Sequence, residues 1–221
     1  MLTQTPAPTL MARLRSETRD QHVMTEAVPF STRIVDGSLP LASYTAQLAA
    51  SLPVHEALER AVAGAGHPAL RSVWEPSMRR VDALRADLRA LGALGPSPAD
   101  LPPPTRTAAA AFATWIDDLA RRQPVALLGV LYVLEGSTLG GAVLRRHLAA
   151  AFQLEDDGLR YYSPYGRHPK PHWVAFSMRM NVAVTGEREI ELIIGTARET
   201  FDRIREILIA IGAPEGRVDL S

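Results

Sequence analysis

The chain has 221 residues, enough for one domain with a full core or for two small ones. Its 24 basic and 24 acidic residues cancel, so no global positive field points to nucleic acid, and 47% hydrophobic with 22% charged residues is the balance of a globular protein. There is no cysteine, which removes disulfides, thiolate metal sites and cysteine nucleophiles together. No uninterrupted apolar run reaches the roughly 18 residues of a membrane span. The opening MLTQTPAPTLMARLR lacks the charged-then-apolar layout of a signal peptide, so the expectation is a cytoplasmic protein without a membrane or nucleic-acid partner.

Residues 1–8 are expected to form a disordered tail. A first helix then runs from about Thr9, available as N-cap, to about Ala27, with Leu10, Leu14, Thr18 and His22 on one stripe and Pro29 closing the segment. A second helix follows Ser38, with Leu41, Tyr44, Leu48, Leu52, His55, Leu58 and Val62 at helical spacing and Pro53 as a kink point. A short helix is expected over residues 69–74, and Met78, Val81, Leu84, Leu88 and Leu91 mark the next. Residues 92–105 are dense in Pro and Gly and read as a loop. They are not a domain boundary, because the helices on both sides carry a single apolar stripe and need partners. Helices follow over residues 106–122, 124–152, around Trp173, Phe176 and Met180, and over 187–211. Nothing alternates with period two for long enough to make a sheet, so the expected fold is a single all-α bundle spanning residues 1–221.

The segment from Pro124 to Phe152 breaks the usual rules of a helix. Its first half is a near-continuous apolar run, suited to burial on most sides. Its middle holds Gly136, Gly140 and Gly141, each costing about 1 kcal/mol relative to alanine in a helix interior. Residues three and four apart stack, so Gly136, Ser137 and Gly140 fall on one face. Two readings are open: close helix–helix packing, or a flat ligand lying on bare backbone.

Six histidines are present, and His22 stands out because it lies on the apolar stripe of the first helix. Arg15 lies seven residues earlier, on the same face and about 10 Å away along the axis. That separation fits an iron at the histidine and a porphyrin propionate at the arginine. An unrelated surface arginine fits the spacing too. His168 and His172 flank two prolines, loosely compatible with a metal but equally with a plain loop; residues 155–157 read as a solvated helix end. Arg145, Arg146 and His147 lie on an exposed flank, where they form either a solvated face or a landing site for an acidic redox partner.

Two motifs carry a family resemblance. LRSETRDQHVMTEA, residues 14–27, resembles the proximal helix of haem oxygenases, with His22 at the iron-ligating position. LYVLEGSTLGGAVLRRHL, residues 131–148, is similar to their glycine-rich distal helix. YYSPYG, WVAFSMRMN and residues 197–201 are similar to bacterial members that supply bilin to phytochromes. The resemblance covers about 200 residues and implies haem, iron protoporphyrin IX, held between the two helices as both cofactor and substrate. It also implies cleavage by O2 to biliverdin, carbon monoxide and ferrous iron, electrons from a ferredoxin or a flavin reductase, and a bacteriophytochrome as a user of the bilin.

Position by position, His22 and Arg15 match the axial ligand and the proximal-helix cation; Gly136 and Gly140, followed by Gly141, match the distal glycines. Ser137 stands where many members have an aspartate that orders distal water. The propionate-binding tyrosine aligns to Leu131, with Tyr132 one place off, and a later basic residue aligns to Ser177, with Arg179 two places off. The missing distal carboxylate keeps a second reading open, a haem-binding carrier or sensor without turnover. A hydrolase of the same architecture is disfavoured by the absence of cysteine, and a plain interaction protein leaves the glycines without a use beyond packing.

Overall fold

The fold is built around two long helices whose sequences are apolar on more than one side. In the computed structural model, residues 8–92 and 98–212 are described, and they form ten α-helices with no strand among the described residues. We number these α1 (Leu10–Glu17), α2 (Arg19–Glu26), α3 (Pro29–Asp36), α4 (Leu41–Gly64), α5 (Pro68–Val73), α6 (Val81–Ala90), α7 (Pro103–Arg122), α8 (Leu127–Phe152), α9 (Pro169–Ala183) and α10 (Glu187–Gly212). The all-α expectation stands. The expected N-terminal tail falls almost wholly on residues outside those described.

Helix α4 packs along α7, and α8 packs along α10, with the main core between the two pairs. A smaller cluster, including Leu39, Tyr44, Leu84, Leu91 and Leu148, joins α4 and α6 to the far end of α8. The crossing of α8 and α10 depends on Gly129: a Cβ there would lie 2.4 Å from the Ile193 carbonyl oxygen and 2.8 Å from the Ala197 nitrogen. With its preceding turn, α8 is long and apolar enough to cross a bilayer by length and composition alone, over residues 124–152. More than half of its most apolar 18 residues are buried in the bundle, which accounts for the apolar run.

Four boundaries differ from the sequence reading. The first helix is two helices of eight residues, broken at Thr18, whose backbone (φ −111°, ψ 8°) leaves the helical region. Pro29 does not close that segment but begins α3, because proline is well suited to the first turn, where its missing N–H is not needed. Helix α2 ends at its C-cap Ala27, as expected, and the additional helix α3 ends at Gly37, in the left-handed region at φ 75°. Helix α7 starts at Pro103 for the same reason, three residues earlier than the periodicity indicates. Residues 93–97 of the expected loop lie outside the described residues. Pro53 is accommodated inside α4, as its apolar spacing anticipates.

Candidate functional site

Leu10, Leu14 and Thr18 are all buried, so the stripe of α1 points into the core. The Thr18 hydroxyl donates to the Leu14 carbonyl at 2.7 Å across the break. One turn later the stripe leaves the core: the His22 side chain is 57% exposed. Its ring rests edge-on against Phe201 of α10, centroids 5.7 Å apart. Its Nδ1 lies 3.4 Å from a carboxylate oxygen of Glu26, the residue one turn on. A carboxylate on the Nδ1 side favours a proton there and leaves Nε2 free to bind a metal. Val23 and Met24 beside it are exposed as well.

On α8, Gly136, Leu139, Gly140 and Val143 repeat at three- and four-residue intervals and share a face. Leu139 and Val143 are large apolar side chains left exposed, and a Cβ at Gly140 would meet nothing within 4 Å. At Gly136 it would just touch the Trp173 ring, at 3.4 Å. Ser137 is exposed, and its hydroxyl donates to the Leu134 carbonyl at 2.7 Å. Its proton is therefore committed, and its lone pairs remain to accept from water.

Gly141 departs from the expectation that it faces a ligand. It is buried, and a Cβ there would sit 2.8 Å from the Tyr162 carbonyl oxygen. The glycines of α8 thus do two jobs: Gly129 and Gly141 let neighbouring backbone approach, while Gly136 and Gly140 leave an open surface. The packing reading holds at Gly129 and Gly141, and the open face at Gly136 and Gly140 is where the ligand reading has room.

The proximal and distal segments meet at Tyr132. Its phenol lies close to the Thr18 side chain, burial pushes its pKa up, and its ring lies 5.8 Å from Trp173. Beyond that contact the two diverge, because α2 rests on α10 and not closely on α8. Arg15 is exposed, near enough for its charge to act on Tyr132, and it makes no ion pair among the described residues. Arg13, by contrast, is tied to Glu17, Glu187 and Glu191. Ser177 is half-buried and donates to the Trp173 carbonyl at 2.7 Å. Arg179 is committed elsewhere, to the Val73 carbonyl at 3.1 Å and to Glu75 at 2.7 Å.

His172 stacks on Tyr165 with centroids 3.9 Å apart, and among the described residues no three His, Cys, Asp or Glu side chains gather into a metal cluster. Asp156 and Asp157 are exposed and pair with Arg145 and Arg160, as a solvated helix end should. Sequence reasoning overlooked Glu26, although its place four residues after His22 is a legible signal. It also overlooked Thr18 and Trp173, whose roles depend on which helices meet.

The fold and its exposed groups, an imidazole on α2 and a face of α8 opened by glycine, define the class as an all-α helical bundle. A family model described as "Heme oxygenase" matches residues 8–210, and the chain belongs to that family. Among curated relatives, the "Heme oxygenase" of Xanthomonas campestris pv. campestris (strain 8004) is 44% identical over 70 residues; the match spans 32% of this chain and 32% of that protein. In fold, the chain is similar to heme oxygenase-1 of the cyanobacterium Synechocystis sp. PCC6803 in complex with heme, with a TM-score of 0.81, 22% identity and 91% of each chain covered. It is similar also to the heme oxygenase of Leptospira interrogans, with a TM-score of 0.82, 22% identity, and 91% of this chain and 98% of that one covered.

Proposed function

We propose that this chain is a haem-degrading monooxygenase that opens haem to biliverdin, carbon monoxide and ferrous iron, using O2 and electrons from a ferredoxin or a flavin reductase. Haem is then both substrate and cofactor: its iron activates O2 and its own ring is cleaved. The observation that carries the reading is an exposed imidazole on α2, with Glu26 beside its Nδ1, in a bundle whose α8 leaves an open face at Gly136 and Gly140. The residues present fit the group. One histidine is the axial donor set of a haem iron, not of a bare ion. The stripe of Gly136, Leu139, Gly140 and Val143 is apolar and flat where the glycines fall.

In this reading His22 Nε2 holds the iron, and Glu26 keeps the ring turned toward it. Arg15, exposed and unpaired by carboxylates among the described residues, takes a propionate. Tyr132, buried beside Thr18 and against Trp173, acts by packing the two segments together more than through a bond of its own to the ligand. Gly136 and Gly140 let the helix backbone approach the distal face closely and steer which edge of the ring is exposed to attack. Ser137 orders a water there by accepting its hydrogen bond, in place of a carboxylate. Ser177 lines the rim beside Trp173 and offers no cation to the second propionate. A cytoplasmic location and delivery of the bilin to a bacteriophytochrome complete the proposal, resting on the sequence resemblance.

The test is a haemin titration followed by ascorbate in air. A Soret band that forms with His22 intact and then gives way to biliverdin absorbance is the expected result. No Soret band would overturn the proposal, and a stable band that never yields bilin would establish the carrier or sensor instead.

A further inference from the structure

The rear of the distal helix carries a buried ionic node that the proposed chemistry does not use. Arg80 and Glu135 are each 4% exposed and paired at 3.0 Å. Arg80 also donates to the Ser77 and Arg79 carbonyls, at 2.9 and 3.0 Å, and to the Tyr165 hydroxyl at 3.1 Å. The Tyr165 hydroxyl in turn donates to the other carboxylate oxygen of Glu135. The backbone N–H groups of Arg80 and Val81 donate to Glu59 of α4, at 2.6 and 2.9 Å. The node therefore joins α4, the start of α6, α8 and the loop that follows α8. That loop is held in its turn: Asp87 accepts from the Arg160 and Tyr161 backbone at 3.0 and 2.8 Å.

Two buried charges are poor stabilisers compared with apolar side chains of the same volume, which points to a geometric use. Glu135 immediately precedes Gly136, in the stretch of α8 least able to hold its own shape. Three glycines lie within six residues there, and the Ser137 and Thr138 hydroxyls both bond back to carbonyls three residues earlier, at 2.7 Å each. Side chains on a helix are separated by about 100° per residue, so fixing Glu135 on the rear fixes where Gly136, Ser137 and Gly140 point.

We propose that Glu135, clamped by Arg80 and Tyr165, is a positioning residue that sets the roll of the glycine-rich turn of α8 over its ligand. The inference deepens the haem-oxygenase reading and rests on it for its catalytic consequence. A roll of a few tens of degrees would displace Ser137 by about 1 Å, enough to change which ring edge is presented.

The experiment compares wild type with Glu135→Gln, Glu135→Leu and Tyr165→Phe. The first readout is amide hydrogen exchange across residues 134–141 in haem-free protein, which is independent of any activity. Exchange there should rise at least tenfold in Glu135→Leu and severalfold in Tyr165→Phe. It should rise least in Glu135→Gln, whose carbonyl oxygen still accepts from Arg80 while its NH2 group donates to the Tyr165 hydroxyl oxygen. The second readout is the ratio of biliverdin isomers, which loss of general stability would not move. That ratio should shift in Glu135→Leu and return in Glu135→Gln, while the ferric Soret band, set by His22 on α2, stays in place. If Glu135→Leu does not fold, Tyr165→Phe decides by the same two readouts. Unchanged exchange and an unchanged isomer ratio in the folded variants would overturn the proposal. If wild-type protein forms no bilin at all, the functional reading fails, and the exchange data still decide the positioning role.

Discussion

Gly140→Leu separates a ligand-facing glycine from a packing one. The structure gives Cβ at this position no neighbour within 4 Å, so the substitution fills no occupied space. Interior glycine costs about 1 kcal/mol relative to alanine, and leucine is nearly as good a helix former as alanine, so the variant should gain about 0.8 kcal/mol. For a domain of this size that corresponds to a rise of about 2–3 °C in Tm. Haem binding or turnover should nevertheless fall by at least tenfold, because the new side chain stands on the open face between Gly136 and Val143. The contrast is Gly129→Ala, where Cβ would meet backbone atoms of α10 at 2.4 and 2.8 Å. That overlap forces the two helices apart and should cost about 3 kcal/mol or more. The assays are thermal melts followed by circular dichroism and haemin titration with single-turnover bilin formation. A Gly140→Leu protein that is destabilised, or one that binds and cleaves haem at the wild-type rate, would refute the division of the glycines into two classes.

Three further outcomes are expected. His22→Ala should leave the melting temperature nearly unchanged, since the side chain is mostly solvent-exposed, while shifting the Soret maximum and ferric spin state of bound haem. Ser137→Ala should slow single-turnover bilin formation about tenfold, or about 1.4 kcal/mol, the scale of one lost hydrogen bond, and Ser137→Leu should abolish it by displacing the water. His55 is buried with its Nε2 3.2 Å from the Tyr161 hydroxyl, and burial, aided by the charge of Arg80, pushes its pKa down to about 3. The folded state therefore binds fewer protons than the unfolded state between about pH 6.5 and pH 3, so His55 makes stability fall as pH drops through that window. The slope approaches about 1.4 kcal/mol per pH unit, and urea melts at pH 7 and pH 5 should show it reduced in His55→Asn.

The helices were legible where apolar side chains recur on one face of a segment, as in α6, α7 and α10. Such stripes have one way to be buried, and the period reports it. Boundaries set by single residues were less so. Pro29 and Pro103 were read as loop or terminator, yet each opens a helix, because the same residue that cannot continue a helix is suited to begin one. The break at Thr18 leaves no mark in the periodicity, since the stripe Leu10, Leu14, Thr18 continues across it.

For the site, the sequence by itself determined the ingredients: an imidazole and a cation seven residues apart, three glycines within one turn and a half of another helix, and a serine between them. These are local facts, fixed by residue spacing. The tertiary structure decided what each one does, because that depends on which chain lies opposite. Gly141 and Gly140 are adjacent and chemically identical, yet one abuts the Tyr162 carbonyl and the other faces open space. Arg15 and Arg13 differ by two residues, yet only the second finds three carboxylates on neighbouring turns and helices. Glu135, which reads as an ordinary helix residue beside the glycines, meets Arg80 from 55 positions away and becomes the anchor of the turn. A helix presents every face it has, and the sequence cannot say which of them another helix will cover.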